Sequence, residues 1–189
     1  MNEEYTISVF SENHVGVLHR ITTIFTRRGI NIESITVSES EIHGIHRFNI
    51  VVSSTEVLME KVVKQIEKQI EVLRAFFYPL DKIIYQEIAL YKLPVEAVQN
   101  GTSIEHIIRN NHARILTVEK DFLVVEKTGH KQETQALFDE LKPYGVLEFV
   151  RSGRVALSKS PQRFKDYLDA PELGKRNTDE EVRELAENN

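Results

Sequence analysis

Two short stretches decide the fold of the first half of the chain: Asn13-His14-Val15-Gly16-Val17-Leu18 and Arg28-Gly29-Ile30-Asn31-Ile32-Glu33-Ser34. A strand-like run from Tyr5 to Phe10 leads into the first stretch, and an amphipathic helix connects it to the second. This order places Asn13 and the open backbone of Gly16 at a helix N-terminus. Unpaired N–H groups and the positive end of the helix dipole favour an anion such as a carboxylate there.

A second asparagine, Asn31, stands where the chain leaves this helix for the next strand. We expect the two Asn side chains to lie close enough together to supply both donors and acceptors to a free amino acid. Neighbouring aliphatic residues would line a pocket for its side chain: Val15, Ile30 and Ile32. In a purely structural interpretation Asn13 caps the helix, Asn31 satisfies a turn and the aliphatic residues belong to the core. Spacing alone favours the structural interpretation.

The first half has the order strand, helix, strand, strand, helix, strand. Gly29 supplies a left-handed helix cap, and the alternation of the next strand changes phase at Glu33-Ser34, where we expect a bulge. Ser54 or Thr55 caps the second helix, and Pro79 ends the last strand. This pattern predicts a four-stranded sheet with both helices on one face.

The second half repeats this order. Its predicted strands are residues 86–93, 114–118 and 122–125, and a last strand, 146–157, that is interrupted at Arg151-Ser152-Gly153-Arg154 by a bulge or break. The sequence therefore predicts an α+β protein with two tandem ferredoxin-like βαββαβ domains. We place them at residues 1–79 and 80–160, followed by an acidic, mobile tail at residues 161–189.

The composition excludes several classes of protein. The 189 residues contain no cysteine, which removes disulfides, thiolate catalysis and thiolate metal sites and suits a reducing cytoplasm. The net charge is −5, and residues 169–189, with seven acidic and three basic residues, carry −4 of it. A nearly neutral body with an acidic tail binds phosphate backbones poorly, so we expect no nucleic acid partner. The apolar runs are too short to cross a membrane.

Motifs for catalysis are missing from the sequence. There is no glycine-rich dinucleotide or phosphate loop, no metalloprotease helix and no nucleophile elbow. His43 with His46, or His14 with His19, would give two metal ligands, but no carboxylate or cysteine cluster completes either set. Solvated histidines are the favoured interpretation, and the chain has the features of a sensor rather than an enzyme.

The chain resembles the small, regulatory subunit of acetolactate synthase, whose N-terminal module is an ACT domain. In the first half the resemblance rests on Asn13 to Arg20, Phe25 to Ser34 and Thr36-Val37; in the second it rests on Gln86 to Leu90, Thr128-Gly129 and Glu148 to Leu157. The string Arg28-Gly29-Ile30-Asn31-Ile32-Glu33-Ser34 is specific to this family.

The resemblance implies a non-catalytic chain that activates a thiamine-diphosphate-dependent catalytic subunit and confers feedback inhibition by valine, sometimes by leucine or isoleucine. Thiamine diphosphate, Mg and FAD belong to the catalytic subunit, and this chain binds no cofactor. The effector lies between two ACT domains of a homodimer, with Asn13 and Gly16 at its charged end and Asn31 on the other wall. The implied effector-binding residues are Asn13, His14, Val15, Gly16, Val17, Leu18, Ile30, Asn31 and Ile32.

Three alternatives remain. An ACT-type sensor would regulate a different enzyme or a transcription factor, and failure to bind the catalytic subunit of acetolactate synthase would identify it. A stand-alone enzyme on tandem ferredoxin-like folds would turn over substrate as the isolated chain, which we expect not to occur. A metal-responsive module using His43 and His46 would carry metal after purification.

Overall fold

The computed structural model describes residues 2–99 and 103–161. The chain divides into two compact units, one formed by residues up to Ile84 together with those from Ala156 onward, and one by Tyr85–Val155. Apart from its first residue, the predicted acidic tail lies outside the described residues.

The first unit contains six elements in the predicted order. They are β1 (Glu3–Glu12), α1 (Val17–Arg27), β2 (Ile32–Glu39), β3 (Ile45–Ser54), α2 (Glu56–Ile66) and β4 (Val72–Pro79). The strands pair antiparallel in the order β2-β3-β1-β4. Apolar residues of both helices, among them Ile21, Phe25 and Met59, pack on one face of this sheet around Ile7 and Ile50. The predicted ferredoxin-like unit is confirmed.

Two local features of α1 and β2 also follow the sequence. Gly29 has a φ of +64°, and the N–H groups of Gly29 and Ile30 donate to the carbonyls of Thr26 and Phe25 at 3.1 and 3.0 Å, which is a Schellman cap. The register between β2 and β3 shifts between Ile32 and Ser34, so the predicted bulge is confirmed.

The second unit repeats the topology of the first. It comprises most of β5 (Ile83–Pro94) and then α3 (Glu96–Gln99), α4 (Ser103–Asn110), β6 (Arg114–Val118), β7 (Phe122–Gly129), α5 (Lys131–Leu141) and β8 (Glu148–Arg151). The strand order in this unit is β6-β7-β5-β8. A further strand, β9 (Val155–Ser158), pairs with β5 and, apart from Val155, belongs to the first unit, as the start of β5 does. The buried core between this sheet and its helices includes Tyr91, Leu93, Ile104, Leu123 and Leu137.

The chain end decides between the two alternatives predicted for residues 151–154. The bulge is wrong and the break is confirmed, because β8 ends at Arg151, Gly153 adopts a φ of +77° and a separate strand begins at Val155. Arg47 of β3 then meets the returning chain, donating from Nη2 to the carbonyl oxygen of Ala156 at 2.7 Å. Burial lowers the pKa of this guanidinium.

Tyr91 connects the second sheet to α5. Its side chain is fully buried, and its hydroxyl donates to the carbonyl oxygen of Thr134 at 2.6 Å. Burial, which disfavours the phenolate, raises the pKa of Tyr91 to about 12, against a smaller opposing effect of Arg151. The unfolded chain ionises near the ordinary value of about 10. The resulting stability is therefore complete below about pH 10 and is lost as the pH rises toward about 12.

We predict that Tyr91→Phe loses about 0.5–1.5 kcal/mol of unfolding free energy near neutral pH, because the Thr134 carbonyl loses its donor. The same change should remove a late-ionising phenol from an ultraviolet titration of the folded protein. Tyr144→Phe, a matched control in the same unit, should leave that late transition in place. The pKa of Tyr5 is also raised, by burial and then by the nearby Glu3, so the count of late-ionising phenols is the readout. An unchanged count in Tyr91→Phe would contradict the assignment.

Candidate functional site

The loop between β1 and α1 leaves the start of the helix open. Gly16 is the N-cap residue, with a φ of +88°, and no side chain of the described residues caps the first turn. Asn13 therefore does not act as the cap that the structural interpretation expects. The N–H of Val17 donates to the carbonyl of His14 at 3.4 Å, and Gly16 and Leu18 are exposed at this end of the helix. An exposed helix start favours an anion through its remaining first-turn N–H groups and the positive end of the dipole.

Backbone hydrogen bonds hold this loop in place. The N–H of Asn13 donates to the carbonyl of Gly44 at 3.0 Å, and the N–H of Glu12 donates to the carbonyl of Glu71 at 2.9 Å. The N–H of Gly44 in turn donates to Glu39 at 3.0 Å. This bond, followed by the nearby His43, lowers the pKa of the Glu39 carboxyl. Backbone hydrogen bonds thus fix the loop to two neighbouring turns, and they do not use the side chains of the loop.

The predicted residues of this loop differ in exposure. Asn13 and His14 are exposed, Val15 is fully exposed at 101%, and Leu18 is 47% exposed. Val17 is only 3% exposed and belongs to the core, so it contributes packing rather than a ligand contact. His14 Nε2 lies 3.4 Å from Glu12 Oε2. Two exposed aliphatic side chains therefore flank the open helix start.

The second group of predicted residues lies at the start of β2. Ile30 and Ile32 are half-buried against the first core, whereas Asn31 is exposed. The Asn31 side chain donates from Nδ2 to Glu33 Oε1 at 3.0 Å. Its amide is thus held at the surface by a contact between two exposed side chains, which a ligand can replace.

Asn13 and Asn31 are far apart within one chain, and the expectation that they lie close together is wrong. Asn31 precedes Ile32, which pairs with Val52 of β3, and Val52 pairs with Tyr5 near the start of β1. Asn13 follows Glu12 at the other end of β1. Seven residues of β1 separate these two levels, or about 23 Å at about 3.3 Å per residue. The two predicted halves occupy opposite ends of the same sheet.

Arg20 and Glu71 stand beside the open helix start and were missed by the sequence analysis. Arg20 Nη2 is hydrogen-bonded to Glu71 Oε1, and Arg20 Nη1 would lie 3.2 Å from a Cβ added to Gly16. Arg20 follows Gly16 by four residues on the helix, a spacing that sequence reveals. Glu71 lies 51 residues from Arg20 along the chain, so no local pattern identifies it.

The histidine pairs considered as metal ligands are not brought into a cluster. His43 Nδ1 lies 2.8 Å from Glu39 Oε1, and both side chains are largely exposed. Within residues 2–99 and 103–161, no three histidine or acidic side chains are grouped as metal ligands. The same described residues contain no helix that is long and apolar enough to cross a membrane.

Comparison with known proteins covers both halves of the chain. Residues 7–74 match the family described as the AHAS small subunit-like ACT domain, and residues 86–160 match the small subunit of acetolactate synthase. The acetolactate synthase small subunit of Mycobacterium leprae is 40% identical over 160 residues, covering 84% of this chain and 93% of that protein. This chain belongs to the acetolactate synthase small-subunit family.

Other members of the family support the same assignment. The Bacillus subtilis acetolactate synthase small subunit is 40% identical over 80% of this chain and 88% of its own length. The crystal structure of the Thermotoga maritima acetolactate synthase small subunit superposes with a TM-score of 0.76 at 30% identity, covering 85% of this chain and 99% of that one. The resemblance and the α+β fold with an N-terminal ACT domain are therefore confirmed.

We predict that Gly16→Ala lowers the unfolding free energy by about 1–2 kcal/mol, because an L-residue is strained at this positive φ. Gly16→Asn should lose less, since asparagine tolerates left-handed backbone. Val15→Ala, at the adjacent fully exposed position, should stay within about 0.5 kcal/mol of the parent in urea unfolding. Equal stability of Gly16→Ala and Val15→Ala would contradict the strain.

Proposed function

We propose that this chain is the regulatory subunit of acetolactate synthase in branched-chain amino acid biosynthesis. In this role it binds the catalytic subunit, raises its activity and confers feedback inhibition by valine. The observation that carries the proposal is that both halves of the chain match the family, with an open helix start in the ACT domain.

The open start of α1 is a favourable position for the carboxylate of an amino acid. A carboxylate there would accept hydrogen bonds from first-turn N–H groups and would be stabilised by the helix dipole. Val15 and Leu18 lie beside this position with 101% and 47% of their surface exposed. Burying such side chains against a branched aliphatic ligand is favourable at about 25 cal/mol per Å² of apolar surface. These features support an aliphatic amino acid as the effector.

We propose that Asn31 approaches this site from a second chain. In the first sheet β2 is an edge strand, and its end is level with the Asn13 loop. Its last residue, Glu39, pairs with His46, and His46 pairs with Ser11. Antiparallel pairing of two β2 strands about a two-fold axis would bring the start of one strand beside the end of the other. Asn31 of the partner subunit would then approach Asn13. This geometry supports a homodimer through the ACT domains with the effector between two chains.

Inhibition would act by linkage between effector and assembly. An effector shifts activity only by its differential affinity for two states, typically about 1–3 kcal/mol of coupling. We propose that valine changes the relative disposition of two paired ACT domains. The second domain or the segment that joins the domains would transmit the change to the catalytic subunit.

The remaining expectations concern cofactors and location. We assign thiamine diphosphate, Mg and FAD to the catalytic subunit, because this chain has no glycine-rich dinucleotide or phosphate loop. The lack of cysteine suits a reducing compartment, and we propose the cytoplasm. An absence of nucleic acid partners agrees with the net charge of −5.

Calorimetric titration of valine into the purified chain tests the site. We expect saturable heat, with leucine and isoleucine titrated alongside, and loss of that heat in Asn13→Ala. Val57→Ala changes an exposed residue of α2 away from the loop and should bind like the parent. Unchanged binding by Asn13→Ala would contradict the assignment, whereas heat seen only with the catalytic subunit present would place formation of the site in the complex.

Asn31→Ala should abolish valine inhibition while activation of the catalytic subunit is retained. Glu33→Gln is the matched control, because it alters the hydrogen-bond partner of Asn31 and leaves the Asn amide in place. The measurement is a valine dose response of the reconstituted enzyme, after co-purification has established that each variant binds the catalytic subunit. Loss of activation together with inhibition in Asn31→Ala would contradict the separation of the effector site from the activating contact. Failure of the parent chain to co-purify with the catalytic subunit would contradict the proposed partner.

A further inference from the structure

The outer edge of the second sheet is apolar and exposed. Strand β6 ends the order β6-β7-β5-β8, and in the described part of the chain it pairs only with β7. All five of its residues are exposed, and three of them are aliphatic: Ile115 at 43%, Leu116 at 52% and Val118 at 61%. We call residues 114–119 the β6 edge.

Edge strands of this kind present unpaired backbone groups that can join another strand. Proteins usually protect them with proline, with lysine within the strand or with very short length. The β6 edge reads Arg114-Ile115-Leu116-Thr117-Val118-Glu119, with neither proline nor lysine. Its protective features are the charged residues Arg114 and Glu119 at its ends and a bulge between Ile115 and Thr117.

The sequence of this edge is complementary to itself in the antiparallel direction. A two-fold axis between Leu116 and Thr117 places Arg114 opposite Glu119 of the partner subunit and Ile115 opposite Val118 of the partner subunit. Because the axis repeats each pair, such a contact contains two ion pairs at its ends and two aliphatic pairs inside them.

The faces of the sheet agree with this register despite the bulge. Ile115 and Val118 are in register with the buried Val125 and Leu123, so both lie on the face that packs against the helices. Arg114 is in register with Glu126, and its Nε donates to that carboxylate at 2.8 Å on the opposite face.

Glu119 carries the complementary charge at the other end of the edge. Glu119 directly follows β6, and the Thr117 hydroxyl donates to Glu119 Oε1 at 3.5 Å. Thr117 is in register with Val124, so it lies on the same face as Arg114, and its contact places the Glu119 carboxylate there too. Both side chains are exposed, and Arg114 has donors beyond those that contact Glu126.

We propose that a second copy of this chain pairs its β6 antiparallel to this β6, with Arg114 opposite Glu119 across the two-fold axis. We infer that the partner is a second copy of this chain because the charges and faces of the β6 edge are complementary to themselves. An unrelated strand would match them only by coincidence. This contact is separate from the β2 pairing and does not depend on valine. If the β2 and β6 contacts share one two-fold axis, both can form within the same dimer. If their two-fold axes differ, the two contacts together build an assembly larger than a dimer.

Disulfide cross-linking tests this register directly. The chain has no cysteine of its own, so only the introduced cysteines can form a disulfide. Directly opposed residues have Cβ atoms about 4.5–5.5 Å apart, close to the roughly 3.5–4.5 Å of a disulfide. A mixture of Ile115→Cys and Val118→Cys full-length chains should therefore give, on mild oxidation, several-fold more disulfide-linked dimer than either variant alone. Val57→Cys mixed with Val118→Cys is the matched control, since both positions are exposed.

A charge variant provides a second readout on folded protein. Glu119→Lys, introduced into both cysteine variants, places like charges opposite Arg114 and should reduce the cross-linked yield several-fold. The proposal is overturned if the mixture yields no more dimer than the Val57 control, or if each single variant cross-links as well as the mixture. Protection of the β6 amides from hydrogen exchange by the catalytic subunit, without self-cross-linking, would assign the edge to that partner and also overturn it.

Discussion

The pairing of β1 with β3 and of β3 with β2 determines which residues share an end of the first sheet. Glu12, Ile45 and Glu39 lie toward one end, and Tyr5, Val52 and Ile32 toward the other. Helix α1 starts at one end and returns the chain to the other, with 11 residues that span about 16 Å at about 1.5 Å each. No adjustment of loops can bring Asn13 to Asn31 without breaking this register, so a ligand that contacts both must bridge two chains.

The unpaired edges of the two sheets follow from the same topology. Each unit has its second strand at an edge, β2 in the first and β6 in the second. The duplicated architecture therefore presents equivalent edges that differ in chemistry. The second half of β2 carries Val37-Ser38-Glu39, whereas β6 is an aliphatic strand with opposite charges at its ends. In the proposed assembly, β2 would form the ligand-dependent contact and β6 a contact based on packing and charge.

Sequence patterns predicted the features that depend on neighbouring residues. The left-handed cap at Gly29 and the bulge after Ile32 each require a short local signal, and both formed as expected. The order of the main helices and strands along both units also followed, since hydrophobic periodicity distinguishes helices from strands. The separation of Asn13 and Asn31 was also available from the sequence, because the predicted helix places them at its opposite ends, about 16 Å apart for 11 residues at about 1.5 Å each. The expectation of proximity failed because it did not apply this helix length. The Arg20–Glu71 contact depends on packing between distant segments, which no single-sequence pattern records. The buried position of Val17, in contrast, follows the helical spacing that it shares with Ile21 and Phe25.

If the proposed site is divided between two chains, the measured affinity for the effector depends on how many chains are paired. A ligand that binds only the paired state stabilises that state by RT ln(1 + [L]/Kd), about 2.7 kcal/mol at a ligand concentration of 100 Kd. By reciprocity, chain pairing raises ligand affinity by the same factor. Apparent affinity for valine would therefore rise with chain concentration until the β2 edges are fully paired. A contact at β6 that holds two chains together would raise the local concentration of β2 edges wherever the connecting geometry permits, and so strengthen effector binding without touching the effector.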